Sequence, residues 1–152
     1  MSTIVKGLYL GDQDDACDQE WLEEHNIQVI LNCAKEVNCF IPEDVSAFKI
    51  LLEDTSDQDI LSYLEPSVKI IDEAIDNREP ILVHCGLGKS RSASIVIYWL
   101  MTRVYGGDLE KAINHVKKKR SIINPNVGFL TQLASVSSSG LGKRSCRQKG
   151  KK

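Results

Sequence analysis

A chain of 152 residues, 42% hydrophobic and 26% charged, has ordinary globular composition and the length of one domain. At that length roughly two thirds of the unfolded surface can be buried, so a core needs neither metal nor disulfide. The net charge of −2 is unevenly spread: residues 140–152 carry six of the 19 basic residues and no acidic one, while residues 1–139 carry 13 basic and 21 acidic groups. Such an acidic body argues against a domain built around the nucleic-acid backbone, which needs cations clustered on its folded surface.

The apolar run at residues 4–10 reads as a strand, and the acidic stretch 12–24 as one or two short helices. Residues 28–33 and 47–52 are further strand candidates, separated by a polar segment containing Pro42. The second runs into Glu53, Asp54, Thr55, Ser56 and Asp57, an acidic turn-rich segment at a strand end. Leu61, Leu64, Val68, Ile71 and Ile75 recur at helical spacing, with Pro66 as a kink or restart. Residues 80–85 are a short β-branched apolar run, expected as a buried central strand. From Arg91 a helix apolar on nearly every side runs to Gly106 and Gly107. Asp108 is placed to cap the next helix, which Lys117–Arg120 would close, and residues 128–136 fit a last short helix. Strands alternating with helices imply an α/β domain, its central sheet covered on both faces. Residues 140–152 are expected to be a disordered basic tail able to contact anionic surfaces.

The longest strongly apolar stretch, between Ile95 and Met101, is far short of the roughly 20 residues a membrane helix needs, so no transmembrane segment is expected. No signal sequence or lipidation motif is read at either end. The cysteines Cys17, Cys33, Cys39, Cys85 and Cys146 are odd in number and form no CxxC pair, which points to a reducing compartment. Neither they nor His25, His84 and His115 have metal-ligand spacing, so no metal or cofactor is expected.

The informative segment is His84, Cys85, Gly86, Leu87, Gly88, Lys89, Ser90, Arg91 and Ser92, where a buried strand turns into a buried helix. Such a turn aims backbone N–H groups and the positive end of a helix dipole at one point, making an anion site. A cysteine there is expected as a thiolate, the nucleophilic form. Arg91, six positions on, can fold back and hold two phosphate oxygens with its planar fork. Blander readings compete. Cys85 alone would be an ordinary buried cysteine. Gly88-Lys89-Ser90 could end a phosphate-binding Walker loop, but Val83 stands where that motif needs glycine. Gly86-Leu87-Gly88 could begin a dinucleotide fingerprint, but Arg91 stands in place of its third glycine.

The segment HCGLGKSRSAS resembles the HC-x5-R-[ST] signature of protein tyrosine phosphatases. GLYLGDQDDA is similar to the first strand of dual-specificity phosphatases, ILLEDTSDQDI resembles their general-acid loop and INPNVGFLTQL their closing helix. The resemblance spans residues 4–134, and implies a protein tyrosine phosphatase-like fold with a mostly parallel sheet in a catalytic domain over residues 1–139. It also implies roles. Cys85 attacks phosphorus, the amides of Gly86 to Arg91 cradle the phosphoryl oxygens, and Arg91 clamps two of them. Ser92 donates to the sulfur, Asp54 is the general acid and His84 orders the loop from beneath. Asp57 is the rival acid, and Asp59 lies in the same exposed segment. Lys89 occupies a loop position where many relatives carry a small apolar residue. The expected substrate is a phosphorylated protein, with tyrosine and serine or threonine both accepted, and the expected location cytoplasmic or nuclear. The alternatives are a phosphoinositide or RNA 5′-phosphatase and a catalytically weak phospho-binding module. Oligomeric state and the pairing of Cys17, Cys33 or Cys39 with Cys85 stay open.

Overall fold

The computed structural model describes residues 1–138, so the expected basic tail lies outside the described residues. In chain order the elements are β1 (Ser2–Val5), β2 (Leu8–Gly11), α1 (Gln13–Ala16), α2 (Gln19–Glu24), β3 (Val29–Asn32), β4 (Ser46–Lys49), α3 (Leu61–Asp76), β5 (Ile81–His84), α4 (Arg91–Arg103), α5 (Leu109–Lys119) and α6 (Val127–Ser135). The strands form one sheet in the order β1-β2-β5-β3-β4, with β1 antiparallel to β2 and every other pair parallel.

The alternation of side chains along the strands decides the layers. Leu8 and Leu10 of β2, Val29 and Leu31 of β3, and Ile81 and Val83 of β5 face a large core shared with α3, α4, α5 and α6. Ile30 and Leu82, on the opposite face, pack with Ala16 and Leu22 of α1 and α2. Both faces are therefore covered, and α4 is the central helix, with seven apolar residues buried between Ala93 and Met101. Each fully buried leucine, isoleucine or valine of this core contributes about 1.5–3 kcal/mol through removal from water.

Two sequence expectations are corrected. The run at residues 4–10 is two strands, because Lys6 and Gly7 turn the chain back and pair Val5 with Leu8. An apolar run carries no mark of a hairpin when the turn is only two residues long. Pro66 does not restart α3, which runs unbroken from Leu61 to Asp76 with the proline inside it; having no N–H, Pro66 only leaves the Ser62 carbonyl without its usual intrahelical donor.

Register sets the position of the site. Gly11, His84 and Asn32 are level across β2, β5 and β3. The segments leaving the C-terminal ends of these parallel strands therefore meet on one edge, where open α/β sheets place their ligands. Side chains cap α1, α2, α5 and α6, namely Asp12, Asp18, Asp108 and Asn126. Ser90 makes no side-chain cap on α4, leaving the positive end of that helix to the loop before it.

Candidate active site

β5 ends at His84 and α4 begins at Arg91, so residues 85–90 form the connecting loop. Every carbonyl of that loop is held from outside. His84 Nδ1 donates to the Cys85 oxygen at 3.2 Å, and the Gln13 N–H to Gly86 at 3.0 Å. Arg120 donates through Nη2 to Leu87 at 3.3 Å and through Nε to Gly88 at 2.9 Å. The Asn124 N–H reaches the Lys89 oxygen at 2.7 Å, and the Ser94 N–H and hydroxyl both reach Ser90. In a trans peptide the carbonyl and the following N–H point in opposite directions. Tying the carbonyls of 85–90 outward therefore aims the N–H groups of 86–91 inward.

Gly88 makes the turn feasible. Its φ is +68°, and an added Cβ would lie 2.5 Å from the Gly11 carbonyl oxygen. The Gly88 N–H lies 3.2 Å from Cys85 Sγ, and Ser92 Oγ 3.1 Å on another side. Both can donate a hydrogen bond to the sulfur. Cys85 is almost wholly buried, at the floor of a cavity of about 180 Å3 lined also by Asp54, Leu87, Lys89, Ser90, Arg91 and Asn124. A wider cleft of about 590 Å3, lined by Lys6, Tyr9, Ile75 and Arg78, lies at the opposite ends of the strands and holds no nucleophile.

Arg91 is held by a residue that the sequence reading missed. Its Nη1 donates to Glu36 Oε1 at 2.7 Å and to the Leu52 carbonyl at 3.1 Å, and its Nη2 donates to Glu36 Oε2 at 2.8 Å. A guanidinium has five N–H groups in fixed directions. Those three bonds occupy its far end and leave Nε–H and one Nη2–H side by side, a parallel fork for two oxygens. The Arg91 guanidinium holds the Glu36 carboxyl down to about 2, and Glu36 in turn raises the Arg91 pKa.

Burial lowers the pKa of His84. Because its Nδ1 faces a carbonyl, that nitrogen carries the proton, and the ring secures the first carbonyl of the loop from below. The three acidic candidates separate. Asp54 lines the cavity with Cys85 and accepts from Asn126 Nδ2 at 2.9 Å. Asp57 is exposed and does not line it. Asp59 turns both carboxylate oxygens to Ser62 at the start of α3.

The cysteines divide in a way that their spacing did not show. Cys17, which ends α1, and Cys39, in the connection from β3 to β4, form a disulfide with Cα atoms 5.2 Å apart. Their spacing had left the pairing open, because this bond joins cysteines that only the tertiary fold brings together. Neither is then a partner for Cys85. Cys33 is a buried free thiol one residue beyond Asn32, which pairs with His84. Burial, together with the neighbouring Cys85 sulfur, pushes its pKa well up. Cys146 lies outside the described residues. Glu36 stood in no motif, Arg120 was read only as part of the basic run closing α5, and Asn126 lay within INPNVGFLTQL, read only as a closing helix and given no role at the site.

Residues 8–139 match the family described as dual specificity phosphatase, catalytic domain. Protein phosphatase Slingshot homolog 1 of Mus musculus is 40% identical over 133 residues, covering 88% of this chain and 13% of that protein. Dual specificity protein phosphatase 1 of Arabidopsis thaliana is 37% identical over 138 residues, covering 91% of this chain and 69% of that one. The crystal structure of a mouse putative dual specificity phosphatase complexed with zinc tungstate superposes with a TM-score of 0.84 at 28% identity, over 91% of this chain and 86% of that one. This chain thus spans only a small part of the Slingshot relative. Among the described residues no helix is long and apolar enough to cross a membrane.

Proposed function

Since the chain belongs to the dual-specificity phosphatase catalytic-domain family, we propose that it is a protein phosphatase hydrolysing phosphotyrosine and phosphoserine or phosphothreonine through a cysteinyl-phosphate intermediate. The observation that carries this reading is the convergence of Cys85 Sγ, the free fork of Arg91 and Asp54 on one small cavity, above a loop whose carbonyls are all turned away. The mouse relative was crystallised as a complex with zinc tungstate, and tungstate is a tetrahedral oxyanion, the shape such a cradle would take.

In the first step Cys85 Sγ attacks phosphorus, the bond from phosphorus to the leaving oxygen breaks, and Asp54 gives that oxygen its proton. The inward N–H groups and the Arg91 fork stabilise the equatorial oxygens as charge spreads over them. In the second step a water attacks the phosphorus, Asp54 takes its proton, and the sulfur departs as thiolate. Ser92 Oγ and the Gly88 N–H then hold the sulfur's negative charge. His84 orders the loop and does not touch the reacting atoms.

A cavity of about 180 Å3 with Leu87 exposed beside it has room for a phosphoryl group, and we expect it to admit alkyl as well as aryl phosphates. Lys89 supplies one extra cation at the cavity, which is the feature favouring the alternative of a phosphoinositide or RNA 5′-phosphate. A panel of phosphotyrosine, phosphothreonine and phosphoinositide substrates under reducing conditions tests the assignment. Turnover of both phosphopeptides above the lipid supports it, and a clear preference for the lipid overturns it. A catalytic thiolate needs a reducing environment, so we place the domain in the cytoplasm or nucleus.

A further inference from the structure

Asp54 sits on a segment with little structure of its own. Residues 53–59 are mostly exposed turns between Leu52 and α3, and an exposed carboxylate on such a stretch samples many rotamers. The cap and body of α6 fasten this segment and the residue after it at three points. Asn126 Nδ2 donates to Asp54 Oδ1 at 2.9 Å. Gln132 accepts from the Ile60 N–H at 2.8 Å and donates to the Gln58 carbonyl at 2.9 Å. Between them Gly128 lies so close to the segment that an added Cβ would fall 1.9 Å from the Ser56 carbonyl oxygen. Any side chain there would push the acidic segment off the helix.

Asn126 is committed on every side. Its Oδ1 accepts from the Phe129 N–H at 2.9 Å, capping α6, and its own N–H donates to Ser90 Oγ of the phosphate loop at 3.0 Å. The amide plane is rigid, so the cap that fixes Oδ1 also fixes where Nδ2 points. Serine, threonine or aspartate would cap the helix equally well. None of them adds an amide N–H directed at Asp54.

We infer that Asn126 is the positioning residue of the general acid, locking Asp54 to the phosphate loop and keeping its transferable proton on Oδ2. This rests on Asp54 being the acid of the proposed reaction. The carbonyl oxygen of a protonated carboxyl is a better acceptor than its hydroxyl oxygen, so an N–H on Oδ1 places the proton on Oδ2. Among the described residues Oδ2 has no hydrogen-bond partner and is available to the leaving group. As the sulfur–phosphorus bond forms and the phosphorus–oxygen bond breaks, the Oδ2 proton passes to the leaving oxygen. The carboxylate produced keeps its bond to Nδ2–H, now charge-assisted. When water attacks the intermediate, the same carboxylate takes up a proton.

The test is dependence on the leaving group, which a purely structural cap does not produce. Asn126→Ser keeps a capping oxygen and removes the donor. Its kcat/KM should fall about tenfold or more on a phosphothreonine peptide and less than about threefold on p-nitrophenyl phosphate, whose oxygen departs without a proton. Added to Asp54→Asn, it should cost nothing further on the peptide, because the two residues act as one unit. Asn126→Asp, a full capping side chain, should show the same selective loss even if the serine variant folds poorly. Equal losses on both substrates, or none on either, would overturn the inference while leaving Asp54 in place. An Asp54→Asn variant without the selective loss would overturn the acid assignment itself, and this inference with it.

Discussion

Cys85 and Arg91 can be probed separately because different parts of the structure hold them. Cys85→Ser is nearly isosteric but not ionised at neutral pH, so turnover of an aryl phosphate should vanish while tungstate still binds. Activity above about one tenth of wild type would refute the nucleophile assignment. Glu36→Gln keeps the shape of the clamp's partner but removes its charge. Because the Glu36 pKa is lowered from 4.5 to about 2, the ion pair's contribution to stability is fully present above about pH 4.5 and is lost as the pH falls through about 2. At neutral pH the variant should bind tungstate and substrate about tenfold more weakly through a misdirected fork. That loss should be the same for good and poor leaving groups, the reverse of the pattern expected at Asp54.

At the scale of elements, the phosphate loop depends on α5 through Arg120, which is buried although charged. Arg120→Met keeps the apolar stem and leaves the Leu87 and Gly88 carbonyls without their donor. Orphaning the buried Gly88 carbonyl costs about 1–3 kcal/mol, and the loop should relax to recover that bond. The denaturant midpoint should therefore drop together with tungstate affinity, and a drop in stability alone would show that the loop keeps its shape by other means. Arg120 also marks the boundary of what the sequence made legible. Residues 84–92 are contiguous and carry their pattern in plain order, so the proposed nucleophile, the glycines and the proposed clamp could all be picked out from one stretch. Glu36 lies 55 residues from Arg91, Arg120 lies 32 from Gly88, and Asn126 lies 72 from Asp54. No local periodicity links residues brought together only by the order β2-β5-β3. The hairpin at Lys6 and Gly7 was hidden for the opposite reason, because both of its strands share one unbroken apolar pattern.

On the scale of the whole molecule, the Cys17–Cys39 bond closes a loop across β3, with a sequence separation of 22. Loop-closure entropy for that length predicts about 3 kcal/mol of stabilisation for the oxidised chain. Cys17→Ser should match wild type in urea unfolding with reductant and fall below it without, and equal stability in both conditions would contradict the pairing. In a reducing compartment the bond stands open, so the stability available there is that of the reduced chain. The outward ties of the phosphate loop have a further consequence, for folding. Residues 13, 94, 120 and 124 anchor carbonyls between 86 and 90, so the donors come from segments spread across most of the described chain. Contacts so distant in sequence form late, after the entropy of closing the intervening loops has been met. Refolding from urea should restore helical circular dichroism before it restores phosphatase turnover, with catalysis returning only in the slowest phase.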